Sequence, residues 1–184
     1  MQKRLFSVLL SVATMFVSSS LYASESVDQR LHCLTEDLRG GPEQRLAYLD
    51  ALRDASAAFN VSPEVLVAIK RVESSLTLNP GVINHNRDGS TDHGLHQVNF
   101  RVWQPVVEEL GISLNRNQFH DVYNNTLVAA WILRRKLERF NGDVFAAVGH
   151  YHRGGGRDAT SNAIRREYMS KFIPHLREIV ARCH

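Results

Sequence analysis

The stretch SPEVLVAIKRVESSL, residues 62–76, predicts the best-defined helix of the chain and places an acid on its apolar face. Ser62 followed by Pro63 is a typical helix start, because serine caps the first turn and proline fits the first helical position. Four residues spaced by three, four and three positions share one face of this helix: Leu66, Ile69, Glu73 and Leu76. Three of them are suited to a core, and the carboxylate of Glu73 needs an explanation.

Glu73 has two interpretations at this stage. A carboxyl group on an apolar face loses hydration, which disfavours its ionised form and keeps a proton available near neutral pH. Such a proton donor is what the cleavage of a glycosidic bond requires. The alternative is a structural Glu73 at the rim of the helix, paired with a cation such as Arg71. Helix geometry alone leaves both interpretations open.

The remaining chain shows helical periodicity and no convincing alternating strand pattern, so we predict a single all-α domain. Helices are predicted over residues 43–59, 62–75, 101–110, 126–140 and 144–150. A last helical region contains Pro174, which predicts a kink or a restart. Residues 81–99 read as an ordered polar loop that can hold a small β-hairpin.

The N-terminus has the layout of a secretory signal peptide. Lys3-Arg4 is followed by an apolar run over residues 5–17 and by small residues up to Ala23. The apolar run is shorter than the roughly 20 residues that span a bilayer. We therefore predict residues 1–23 to be a cleaved signal peptide and residues 24–184 to be the exported domain.

Charge argues against a nucleic-acid partner. Loss of the two cations Lys3 and Arg4 with the leader lowers the formal net charge from +3 to +1. Electrostatic binding of nucleic acid needs a basic patch or stripe. The longest basic run, residues 134–136, is interpreted as the solvated face of a helix.

The two cysteines, Cys33 and Cys183, lie near opposite ends of the exported domain. An even and widely spaced pair in an exported protein predicts a disulfide, which here would join the first helix to the C-terminus. The alternative is two buried thiols.

Three ordered motifs resemble the lytic transglycosylase (SLT) domain of the lysozyme-like superfamily. Glu73-Ser74 ends an apolar helix, and residues 86–99 then match N-x-x-G-S-x-D-x-G-L-x-Q-V-N. Residues 125–133 are similar to N-I-x-x-G-A-x-Y-L, and residues 148–154 are similar to A-x-A-Y-N-x-G. The order and spacing of these motifs over most of the exported domain make the resemblance specific.

The resemblance implies a lysozyme-like fold that cleaves peptidoglycan between N-acetylmuramic acid and N-acetylglucosamine, with no cofactor and no metal. Glu73 would act first as acid and then as base while the muramoyl 6-hydroxyl closes on C1, which gives a 1,6-anhydro product. The resemblance also implies a set of substrate-binding residues: Ser74, Gln97, Asn99, Tyr151 and His152. Tyr151 would additionally orient Glu73 through its hydroxyl.

Some positions depart from the family pattern. His152 stands where asparagine is usual, His96 where methionine is usual, and Leu76 where phenylalanine is common. An imidazole can still donate to a sugar, and because it titrates near neutrality we expect His152 to make the activity depend on pH.

The chain is most similar to the small specialised transglycosylases of secretion, pilus and conjugation systems. The expected partners are therefore peptidoglycan strands and an envelope-spanning machine, and the expected protein is a periplasmic monomer.

Three rival functions follow from the same residues. A hydrolytic muramidase would use Glu73 with a second acid, Asp92 or Asp88. A metal enzyme would use the histidines of His93-x-x-His96 or His150-x-His152, but neither pair has the i, i+4 helical spacing of a metalloprotease. A non-catalytic wall-binding assembly factor would have no need of a buried acid at residue 73.

Overall fold

The computed structural model describes residues 27–109 and 113–184. The predicted signal peptide, residues 1–23, lies outside this part of the chain. Within the two described ranges, no helix combines the length and the apolar character needed to cross a membrane.

The described residues form eight helices and a small antiparallel sheet, which confirms the predicted all-α fold with strands inside the 81–99 loop. The helices are α1 (residues 27–35), α2 (Pro42–Phe59), α3 (Pro63–Ser74), α4 (Phe100–Glu109), α5 (Arg116–His120), α6 (Val122–Arg139), α7 (Val144–His152) and α8 (Ala159–Cys183). The strands, in the order β1-β2-β3, are β1 (Ile83–His85), β2 (Thr91–His93) and β3 (Val98–Asn99).

Helix α3 begins as its sequence predicts and lies at the centre of the fold. The Ser62 hydroxyl accepts a hydrogen bond from the backbone N–H of Val65 at 3.4 Å, which caps the first turn. Leu66 and Ile69 are completely buried, and α3 packs against α8. The apolar face therefore belongs to the core, and Glu73 lies at the end of that face.

Two apolar cores flank the middle of the molecule. The larger core takes side chains from α1, α2, α3, α6 and α8. The smaller one joins β3, α4, α5 and the outer side of α6, with Phe119 completely buried at its centre. Tyr151, near the end of α7, packs against both cores. The boundary between the cores is where a cleft opens.

Three helices differ from the predictions. Helix α6 begins at Val122, four residues earlier than predicted, because the Asp121 carboxylate caps it by accepting from the N–H of Asn124. The five-residue α5 was not predicted. Helix α8 continues through Pro174, so of the two predicted outcomes, a kink or a restart, the restart is wrong.

The predicted disulfide is present and ties the two ends of the domain together. Cys33 follows the start of α1, Cys183 ends α8, and their Cα atoms are 5.8 Å apart. Beside this bond, the buried Arg71 guanidinium donates to the carboxylates of Asp37 and Glu178. Arg71 therefore pairs with these two acids and not with Glu73.

Candidate active site

A cleft of about 770 Å³ runs between the two cores. The end of α3, the small sheet, α4, α6, the end of α7 and the start of α8 all contribute to its walls. Five residues singled out from the sequence meet in it: Glu73, Gln97, Asn99, Tyr151 and His152. Segments far apart in the chain thus converge on the position of Glu73.

The carboxylate of Glu73 is held by a tyrosine of α8. The Tyr168 hydroxyl donates a hydrogen bond to Oε1 of Glu73 at 2.8 Å, and Nδ1 of His152 lies 3.6 Å from the same oxygen. The His152 ring stacks on the Tyr168 ring with centroids 4.2 Å apart. The Glu73 side chain is 12 % exposed, so it reaches the cleft from a largely buried position.

Tyr168, and not Tyr151, orients Glu73, which corrects the prediction for Tyr151. The Tyr151 hydroxyl donates to the backbone carbonyl of His96 at 2.9 Å. Burial, together with the charges of Glu73 and Asp92, raises the pKa of Tyr151 well above its ordinary value. Tyr151 therefore stays protonated beneath the cleft and ties α7 to the loop that carries His96.

Ser74 does not reach the cleft, which corrects its predicted role in substrate binding. Its hydroxyl donates to the carbonyl of Lys70 one turn earlier, and the residue is only 8 % exposed. Successive residues of a helix point about 100° apart, so Ser74 faces the interior when Glu73 faces the cleft.

One buried asparagine of α6 shapes the loop at the base of the cleft. The Asn125 amide donates to the carbonyls of His93 and Phe119 and accepts from the N–H of His96. Gly94 lies against this amide with a positive φ of 71°, and a Cβ there would come within 2.6 Å of Asn125. Glycine is therefore required at residue 94, and Asn125 fixes the turn that leads to Gln97.

Gln97 lines the cleft through a side chain whose amide is tied to the backbone. Its amide nitrogen donates to the carbonyl of Gly94 at 2.7 Å, which leaves Oε1 buried and without a partner among the described residues. Asn99 donates to Asp92 Oδ1 at 2.7 Å and to the hydroxyl of Ser90. These side chains give the cleft polar groups over an apolar floor, as sugar recognition requires.

The histidine pairs do not form a metal centre in the described part of the chain. No cluster of three or more His, Cys, Asp or Glu side chains that could hold a metal occurs in residues 27–109 and 113–184. His93 instead shares a hydrogen bond of 2.8 Å with His120 and another of 2.7 Å with Thr91. Burial and the neighbouring His120 lower the pKa of His93 to about 4, so it is neutral at pH 7.

A buried polar cluster lies behind the cleft, around Lys70 and His96. The Lys70 ammonium donates to the carbonyl of Ser75 at 2.9 Å, and burial together with Arg71 lowers its pKa to about 7. His96 is completely buried, and neither ring nitrogen has a partner among the described residues. Burial and the charge of Lys70 lower the pKa of His96 to about 3.

Comparison with known proteins identifies the family. A family model described as the transglycosylase SLT domain matches residues 50–173, which include the whole cleft region from Glu73 to His152. The chain belongs to the SLT transglycosylase family. It is a peptidoglycan lytic transglycosylase, and its substrate lies outside the cytoplasm.

Curated relatives of this transglycosylase include Invasion protein IagB of Salmonella typhimurium (strain SL1344) and Invasion protein IagB of Salmonella typhi. Each is 34 % identical over 133 residues, which cover 72 % of this chain and 79 % of the relative. No solved structure matches the chain.

Replacement of Tyr168 by phenylalanine should lower the kcat of the transglycosylase about tenfold. The change removes one hydrogen bond to a carboxylate, which is worth about that factor, and leaves the ring stack with His152 in place. KM should stay within about twofold, because the hydroxyl contacts Glu73 and not the cleft surface. Steady-state kinetics on glycan strands measure both constants. An unchanged kcat would show that the hydrogen bond from Tyr168 to Glu73 does not contribute to catalysis.

Replacement of His96 by methionine should make the protein more stable and less sensitive to acid. The pKa of His96 is below its ordinary value of 6.5, so between these values the unfolded chain binds a proton that the folded chain does not. Stability is therefore lost as pH falls from 6.5 toward 3, and methionine removes this loss.

At pH 7 the same variant should gain about 1 kcal/mol, because two unpartnered ring nitrogens leave the core. Urea denaturation at pH 7 and pH 5 gives both free energies of unfolding. If the stability of the variant fell as steeply with decreasing pH as that of the wild type, His96 would not be the cause of the acid sensitivity.

Proposed function

We propose that Glu73 performs both proton transfers of a non-hydrolytic cleavage. The observation that supports this role is a largely buried carboxyl group at the wall of the cleft, oriented by the Tyr168 hydroxyl at 2.8 Å. A carboxyl group that is fixed and mostly shielded from water can deliver a proton to a bound glycosidic oxygen.

The proposed reaction needs no water and no second acid. Protonated Glu73 gives its proton to the oxygen that leaves with N-acetylglucosamine, and the bond from that oxygen to muramoyl C1 breaks. The muramoyl 6-hydroxyl then forms a bond to C1 and returns its proton to the Glu73 carboxylate. The product carries a 1,6-anhydro ring, and Glu73 is protonated again for the next cycle.

We propose that four other cleft residues bind the sugars: Gln97, Asn99, Tyr151 and His152. Support comes from the position of all four side chains in the cleft wall. His152 lies beside Glu73 and can contact the sugar that Glu73 protonates.

Hydrolysis by two carboxylates is the second candidate, and two acids in the cleft wall give it a basis. Asp92 accepts a hydrogen bond from Asn99, and Asp88 forms an ion pair with Arg101 at 2.7 Å. Both acids are thus engaged with other side chains, which favours their role as supports of the sheet and favours Glu73 as the single acting carboxyl group.

The chemical nature of the new chain ends tests this proposal. Glycan strands digested by the protein should yield 1,6-anhydromuramoyl ends, which mass spectrometry distinguishes from reducing ends. The same product should appear with an Asp92→Asn variant, at a rate within about tenfold of the wild type. Reducing muramoyl ends as the main product would favour the hydrolytic mechanism instead.

We also propose that residues 1–23 export the domain of residues 24–184 to the periplasm, where it acts as a monomer. The same proposal includes that the protein acts together with a secretion, pilus or conjugation system of the cell envelope. It is supported by the name of its relatives, which are called invasion proteins.

A further inference from the structure

Cations without carboxylate partners concentrate at one end of the cleft. Among the described residues, seven consecutive Arg and Lys side chains have no carboxylate within 4.0 Å: Arg135, Lys136, Arg139, Arg153, Arg157, Arg165 and Arg166. The neighbouring acids are engaged elsewhere, since Glu138 pairs with Arg134 and Asp158 caps α8. This end of the molecule is therefore strongly basic, although the exported chain is nearly neutral.

Five of these cations and one histidine border the cleft or the pocket next to it, and Arg165 is one of the five. We call the other five residues the basic rim: Lys136, Arg139, His150, Arg153 and Arg157. Lys136 and Arg153 line the cleft, whereas Arg139 and Arg157 line a side pocket of about 450 Å³. His150 lines both, so the side pocket adjoins the cleft at this residue.

The glycine loop that carries part of the rim is held in a fixed shape. The Arg165 guanidinium donates to the carbonyls of Arg153, Gly154 and Gly156 at 2.6–3.0 Å. Gly156 lies so close to α8 that a Cβ there would come within 2.2 Å of the Ser161 hydroxyl. Arg165 thus stabilises the loop through its hydrogen bonds, and Arg153 and Arg157 are exposed on this loop.

The positive charges of the rim lie close to one another, and the cleft that Lys136 and Arg153 line also contains the acids Glu73, Asp88 and Asp92. Burial lowers the pKa of His150, and the charges of Arg165, Arg139 and Lys136 lower it further. Burial also lowers the pKa of Lys136, with Arg139 and Arg135 as the charges that contribute. Cations held this close together are stabilised by an anionic ligand, and guanidinium groups match the geometry of carboxylates.

We propose that the basic rim binds the carboxylates of peptidoglycan stem peptides and makes the enzyme prefer peptide-bearing over peptide-free glycan strands. The proposal rests on the proposed function, since a strand bound in the cleft carries its stem peptides beside the sugars. Because the side pocket adjoins the cleft at His150, a ligand attached to the bound strand is favoured over a separate acidic protein.

The test compares two substrates of equal strand length, one with stem peptides and one from which an amidase has removed them. For the wild type we expect a higher kcat/KM on the peptide-bearing strands. In the variant Arg139→Ala/Arg157→Ala the ratio of the two kcat/KM values should fall about fivefold, as expected for two exposed charge pairs. High salt should lower the wild-type ratio in the same direction.

Arg177→Ala is the matched control, because Arg177 is an exposed arginine of α8 outside the cleft and the side pocket. It should leave the ratio unchanged. The proposal would be overturned if the rim variant also left the ratio unchanged. This applies if its kcat/KM values on the two substrates fall by the same factor. It applies equally if the variant loses only the binding of an acidic protein.

Equilibrium binding to a Glu73→Gln background separates this proposal from the proposed function. If the wild type cleaves neither substrate while the rim changes still weaken binding of peptide-bearing strands about fivefold, the proposed function fails and the rim proposal stands. If the wild type cleaves both substrates and the rim changes alter neither the ratio nor the binding, the rim proposal fails alone.

Discussion

Replacement of Glu73 by glutamine is expected to lower kcat/KM on glycan strands about a thousandfold, the range that general acid catalysis contributes. Glutamine keeps the volume of the side chain and can still accept the hydrogen bond from Tyr168. It has no acidic proton for the glycosidic oxygen and cannot take the proton of the muramoyl hydroxyl. Both chemical steps therefore lose the group that drives them, while binding of the strand is preserved.

The control for this variant is Asp92→Asn, since Asp92 is a second carboxylate in the wall of the same cleft. Its loss should cost less than about tenfold, because its role is the hydrogen bond with Asn99. Initial rates on soluble glycan strands measure both variants. Equal losses in the two would mean that two carboxylates share the chemistry.

Removal of the disulfide with Cys33→Ala/Cys183→Ala is expected to lower the free energy of unfolding by about 3–5 kcal/mol. The bond spans 150 residues of sequence, so it constrains nearly the whole unfolded domain. It also holds α1 against the end of α8, where Arg182 donates to the carbonyl of Cys33.

Urea denaturation of the oxidised wild type and the double variant measures this loss. Wild type kept in a reducing agent is the matched comparison, and its stability should equal that of the variant. A loss below about 1 kcal/mol would show that the packing of α1 and its ion pairs hold the two ends together without the bond.

The central helix of the fold could be predicted because its signals are local. The Ser62 cap, Pro63 and the periodic apolar residues of α3 act within a few residues, and the structure has the helix where they place it. The start of α6 and the short α5 were missed because their caps, Asp121 and Asn115, precede segments without an apolar stripe.

Glu73, the acid that we propose for catalysis, could be singled out from the sequence, but the residue that contacts it could not. Glu73 stands out by its position on an apolar face, whereas Tyr168 is 95 residues away and meets it only through the packing of α8 on α3. The family resemblance led to the expectation that Ser74 binds substrate, but one step along the helix from Glu73 turns this side chain into the core.

The basic run at residues 134–136 is a second case in which contacts between distant residues could not be predicted from the sequence. As sequence it predicts a solvated helix face, and Arg134 fits this prediction through its ion pair with Glu138. Lys136 instead lies 5.7 Å from the centre of the Trp103 ring and lines the cleft. The environment of Lys136 depends on the contact of Trp103 of α4 with α6, which no local pattern encodes.

The most direct test of Glu73 as acid and then base is the source of the oxygen at the new muramoyl end. Glycan strands are digested in water enriched in the heavy oxygen isotope, by the wild type and by Glu73→Gln, and the ends are analysed by mass spectrometry. Ring closure by the 6-hydroxyl predicts unlabelled 1,6-anhydro ends from the wild type and almost no new ends from the variant. Labelled reducing ends from the wild type, or unimpaired cleavage by Glu73→Gln, would contradict it.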